Sequence, residues 1–192
     1  AVTTASPSGS GTTTSNPDPV ALMESAWVSA PARTTLSRTE QASLTELLRM
    51  LSRHAFEGAR LVRAAEHVQQ AGCDPELLEL GGSAVFMAYA LASELAELMA
   101  ASECLPELHD QLSDLLVRPL PPMPCAAAAP AGYFAWLDAQ LAERHREWGG
   151  LAALGLELGV DARLRLLLVY RRDLPRILRL ARGLGLPVAC TA

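Results

Sequence analysis

The chain contains no lysine, and all 16 of its basic side chains are arginine. Arginine, alanine, glycine and proline share GC-rich codons, so this absence speaks to the coding source rather than to mechanism. Aromatic residues make up only 5% of a chain that is 50% apolar. A core must therefore be assembled from Leu, Ala and Val, which favour helix packing over a pleated sheet. The four cysteines, Cys73, Cys104, Cys125 and Cys190, form no Cys-x-x-Cys pair, which excludes a zinc knuckle or a thioredoxin-like site. Free thiols and a reducing, cytoplasmic location are the expectation, with two disulfides as the alternative that an even count leaves open. No apolar run reaches the ~18 residues that span a bilayer. The best stretch, Leu80 to Ser93, reads as a buried helix. Gly-rich phosphate loops, nucleophile elbows and His-Glu-x-x-His motifs are all missing, so hydrolase and nucleotide-binding functions have no residues to rest on. There is no alternating strand pattern and no equal-length repeat.

What the chain does have is charge segregation. Nine of the arginines fall between Arg144 and Arg182, whereas Cys73 to Leu115 carries nine carboxylates and no arginine. An acidic layer and a basic layer either pack on each other or face different partners. The net charge of -5 and pI near 5.4 argue against a general nucleic-acid binder, although a local basic surface is compatible with an acidic protein.

Residues 1–35 are read as a disordered tail, because Ala1 to Asn16 are Ser, Thr, Gly and Pro with little to bury. A short apolar island, Leu22, Met23, Trp27 and Val28, follows. Residues 36–192 then read as one helical domain. Ser37-Arg38-Thr39-Glu40 is a capping box, in which hydroxyl and carboxylate satisfy free backbone amides reciprocally. Leu44, Leu48, Leu51, Ala55, Gly58, Val62, Ala65 and Gln69 follow at spacings of four and three, predicting one long helix to about Ala71 that stops at Gly72. Asp74-Pro75 opens a second long helix to about Ala101, with Gly81-Gly82 inside it. Pro106 opens a third, ending near Val117 before the proline-rich connector at 118–130. Another helix starts near Gly132, with Gly149-Gly150 breaking or weakening it. The last runs from Asp161 to Gly183, kinked or divided by Pro175 at Asp173. The expected fold is all-α, an antiparallel bundle of four to five helices.

Candidate chemistry is sparse. A di-metal bundle needs Glu-x-x-His pairs, and neither Glu66-His67 nor Glu143-Arg144-His145 has that spacing. Cys104 and His109 around Pro106 make an unorthodox zinc pair. The remaining constellation is Arg163, Arg165, Arg171, Arg172, Arg176, Arg179 and Arg182, opposed between Asp161 and Arg182 only by Asp161 and Asp173. Guanidinium forks bind carboxylate or phosphate, and Arg172, Arg176 and Arg179, spaced four and three, form a potential anion-binding stripe. The competing reading pairs these arginines with the chain's own acidic helices.

Leu44-Thr45-Glu46-Leu47-Leu48, Ala65-Glu66-His67-Val68, Asp74-Pro75-Glu76-Leu77, Glu94-Leu95-Ala96-Glu97-Leu98 and the segment from Asp161 carry a similarity. Through them, Ser43 to Met99 and Trp148 to Leu184 resemble a bacterial family of ferritin-like four-helix bundles of uncharacterised function. The resemblance implies an antiparallel bundle and a stress or storage context. The residues themselves favour a non-enzymatic interaction or assembly protein, without cofactor, that binds a protein partner or a second copy of itself. An atypical ferritin-like metal or redox protein is the alternative, and binding of nucleic acid or an anionic surface through the arginines is a third.

Overall fold

The computed structural model describes residues 35–74, 82–125, 129–159 and 161–191. Residues 1–34 of the expected tail, with its apolar island, and residues 75–81, which include the start of the expected second helix, lie outside these residues. In chain order the elements are α1 (Arg38–Leu51), α2 (Gly58–Cys73), α3 (Ser83–Glu94), a 3-10 turn (Ala96–Leu98), β1 (Met99–Ser102), α4 (Leu105–Asp114), α5 (Pro130–Glu143), α6 (His145–Trp148), β2 (Leu151–Leu156), β3 (Leu164–Tyr170), α7 (Leu174–Leu184) and β4 (Val188–Cys190).

The all-α bundle is thus replaced by a mixed architecture. A four-stranded antiparallel sheet, ordered β1-β3-β2-β4, runs through the middle of the chain's helices. β3 pairs with β1 from Met99–Leu167 to Ser102–Leu164 and with β2 from Leu151–Tyr170 to Gly155–Leu166. Side chains alternate across the sheet, as the period of two requires. Leu154, Leu156, Leu167 and Val169 enter one core with α1, α2, α3 and α7. Leu151, Ala153, Leu166 and Leu168 enter a second with α4, α5 and Trp148.

That two-sided burial is why β2 and β3 carry no strand pattern in the sequence. A strand covered on both faces loses its polar alternation and becomes a continuous apolar run. Leu-Ala-Ala-Leu-Gly-Leu and Leu-Arg-Leu-Leu-Leu-Val-Tyr are such runs, built from residues whose intrinsic preference is helical. The expected helix from Asp161 is therefore β3 followed by α7, divided at Asp173 with Pro175 in the first turn of α7. Gly149 and Gly150 break the preceding helix, both at positive φ (69° and 74°) in the turn into β2. Of the expected second helix, α3 runs from Ser83 to Glu94; Gly82 is its extended N-cap rather than an interior residue, and the last predicted turn is β1 instead.

The first long helix is also two. Its start is as read: the Ser37 hydroxyl accepts from the Glu40 amide, and the Glu40 carboxylate accepts from the Ser37 amide. Leu44, Leu48 and Leu51 are buried. The chain then turns at residues 52–57, and the helical phase restarts at Gly58. α2 consequently buries Ala64, Val68 and Gly72, leaving Val62 53% exposed rather than in the core. Gly72 does not stop α2 but lets α3 approach, since a Cβ there would lie 2.2 Å from Met87 Cγ.

Candidate functional site

The turn after α1 is built around Ser52, which is fully buried. Its amide donates to Leu48 O, its hydroxyl donates to Arg49 O, and its oxygen accepts from the Phe56 amide. The Arg53 amide donates to Met50 O and the His54 amide to Arg49 O. This is the Schellman pattern of helix termination, whose left-handed residue is usually glycine. Here that residue is Arg53 at φ 53°, and His54 follows at φ 64°. Two consecutive side chains are thereby turned out from the end of α1 without glycine's freedom. His54 Nε2 donates to Asp173 Oδ2 at 3.1 Å, at the start of α7, and its ring stacks on Tyr170 at 6.1 Å. Ser52, His54 and Asp173 do not form a nucleophilic triad, because the Ser52 oxygen is consumed by its own turn.

Beside this turn opens a cleft of about 420 Å³ at the end of the sheet where β2 begins and β3 ends. Leu98, Leu115, Leu116, Val117, Trp148 and Leu151 supply its apolar lining; Arg53, Glu147 and Tyr170 supply its polar edge. Trp148 is fixed by donating its Nε1–H to Arg118 O at 3.1 Å. Glu147 faces Arg118 at 3.7 Å and Arg144 at 4.0 Å.

The seven arginines singled out in the sequence do not form one stripe. Arg163 and Arg165 lie at the start of β3, whereas Arg171 and Arg172 lie past its other end; Arg165 and Arg171 are six residues and about 20 Å of extended strand apart. Arg165 pairs bidentately with Asp161, Arg171 pairs with Asp138 at 2.9 Å, and Arg172 sits over the Tyr170 ring at 4.9 Å. Arg163 reaches the acidic stretch, at 3.8 Å from Glu103. Elsewhere in that stretch Glu94 pairs with His67 and Glu97 with Arg60, both on α2.

The C-terminal three are grouped. α7 buries Ile177, Leu180, Ala181 and Leu184 and leaves Arg176, Arg179 and Arg182 exposed. Arg176 grips Glu46 of α1, and that hydrogen bond is the main reason the Glu46 carboxyl is held below its usual pKa. Partial burial opposes the shift; attraction from Arg176, Arg49 and Arg179 adds to it. Arg176 is the guanidinium in contact with this carboxylate, and Arg49 and Arg179 add attraction without a hydrogen bond to it. Arg49 was not picked out from the sequence, because nothing there shows that the last turn of α1 lies beside α7.

The remaining candidates separate. Cys104 is exposed at the start of α4, with Sγ 3.9 Å from Glu107 Oε2. His109 is buried instead, with Nδ1 3.3 Å from Tyr133 Oη and its ring against Trp136. Desolvation lowers the His109 pKa and raises that of Tyr133. Among the described residues no group of three or more His, Cys, Asp or Glu side chains is placed to hold a metal, and no helix is long and apolar enough to cross a membrane. No protein-family profile, curated protein or solved structure matches the chain.

Proposed function

We propose that this chain is a non-enzymatic interaction domain that binds an acidic segment of a protein partner on the exposed face shared by α1 and α7. The observation that carries this reading is the surplus of positive charge around Glu46. Arg176 grips Glu46, while Arg49 in the last turn of α1 and Arg179 on α7 are exposed and form no ion pair among the described residues. Arg182 extends the basic face along α7. Arginine forks suit carboxylates, and helices hold the forks at fixed spacing, so the face selects charge and geometry together.

The test is fluorescence anisotropy with a labelled oligoglutamate peptide. Binding should weaken steeply as salt shortens the Debye length to about 8 Å at 0.15 M. Arg49→Ser combined with Arg179→Ser should abolish it, while Arg163→Ser at the other end of β3 should leave it intact. Equal binding by all three proteins would overturn the proposal. So would tighter binding of a single-stranded oligonucleotide of equal charge through the same arginines, which would make the face a nucleic-acid surface.

A further inference from the structure

The cleft beside Arg53 carries an inference separate from the α1/α7 face. Its volume, about 420 Å³, lies within the range of small-ligand pockets. Its lining is of two kinds. Leu98, Leu115 and Leu116 are half-buried and offer apolar surface, Trp148 and Leu151 are buried behind them, and Val117 is 96% exposed, an aliphatic side chain left to water. Arg53 is the cationic element, and among the described residues no carboxylate pairs with it. Glu147 also lines the cleft, but it is flanked by Arg118 and Arg144, so it does not offset Arg53.

The placement of Arg53 is a second, independent observation. It holds the left-handed position that closes α1, where glycine is the favoured residue. Nothing in the turn's own hydrogen bonding needs a guanidinium: the bonds there are made by backbone groups and by Ser52. Residues held in sparsely populated backbone regions cluster at ligand sites. Here the residue in that conformation is a cation that lines the cleft.

We infer that this cleft binds a small amphipathic anion, with an apolar body against Leu98, Leu115 and Leu116 and a single carboxylate or sulfonate head on Arg53. Fatty acids and aromatic acids share this chemistry.

The probe is 1-anilinonaphthalene-8-sulfonate, a compact apolar fluorophore with one anionic head, titrated into the folded full chain. Saturable one-site binding is expected. Arg53→Gly should weaken it at least tenfold without lowering Tm, because glycine suits the backbone at that position. Arg53→Gln, which keeps much of the side chain's length, should weaken it similarly. N-phenyl-1-naphthylamine, which lacks the sulfonate, should bind wild type and both variants alike. Unsaturable sulfonate binding, or equal sulfonate affinity for wild type and either variant, would overturn the inference. Loss of the neutral probe in the variants would also overturn it, since the defect would then lie in the cleft's shape rather than in the missing cation. In a competition arm, decanoate and 1-naphthoate should each displace the sulfonate probe from wild type; displacement by neither would refute the assigned ligand class.

Discussion

Arg176 holds Glu46 with both edges of its guanidinium, Nε donating to Oε1 at 3.0 Å and Nη2 to Oε2 at 2.7 Å, and so ties α1 to α7 across 130 residues of chain. The pair is exposed enough for solvent to screen it, with relative exposures of 46% and 33%, so its effect on stability is modest. The sign of its pH dependence is fixed. A carboxyl whose folded pKa is lowered contributes stability above its unfolded pKa, near 4.5, and loses that contribution as pH falls through the folded value. Glu46→Gln should therefore lower Tm slightly at pH 7, and the difference from wild type should vanish in strong acid. A difference that persists or grows in acid would show that the pair is not the source.

His109 behaves in the opposite chemical sense with the same outward sign. Burial between Tyr133 and Trp136 lowers its pKa from the usual 6.5, so the fold prefers the neutral ring. Its contribution is present above pH 6.5 and is lost as acidification protonates it. Wild type should lose more Tm between pH 7.5 and pH 5 than His109→Gln does. Parallel losses would assign the acid sensitivity to other groups.

The two cores make the interrupted first helix and the sheet testable by urea unfolding. Leu48→Ala and Leu167→Ala, both fully buried, should each cost ~2 to 5 kcal/mol. Val62→Ser should change stability by less than about 0.5 kcal/mol, the range for exposed positions. A Val62 cost comparable to that of Leu48 would restore the single continuous helix.

Arg53→Gly relieves a left-handed backbone conformation that costs a side-chain-bearing residue ~1 kcal/mol, partly offset by glycine's greater freedom when unfolded. Urea unfolding should find the variant no less stable than wild type. A clear loss would show that the Arg53 side chain makes a stabilising contact within the fold.

Features with a local cause were legible in the sequence. The Ser37–Glu40 capping box and the seam through Leu44, Leu48 and Leu51 each follow from residues within one or two helical turns, whereas Pro175 left a kink or a division at Asp173 open and the structure has the division. β2 and β3 were not legible, because helices on both faces removed the alternation that marks a strand, and Leu and Ala then pointed to helix. The end of α1 was hidden because its terminating residue is Arg53 rather than glycine. For the basic face, exposure of Arg176, Arg179 and Arg182 follows from the amphipathic pattern of α7. The contribution of Arg49 depends on α1 and α7 lying side by side, which no local pattern encodes.

The location of the basic face is the central claim, and backbone amide chemical-shift mapping during an oligoglutamate titration tests it most directly. The account predicts that perturbations concentrate at Arg49, Arg176, Arg179 and Arg182 and their helical neighbours, and that they reverse on adding salt. Perturbations centred instead on Arg163, Arg165 and Arg171, or spread evenly over all arginines, would contradict it.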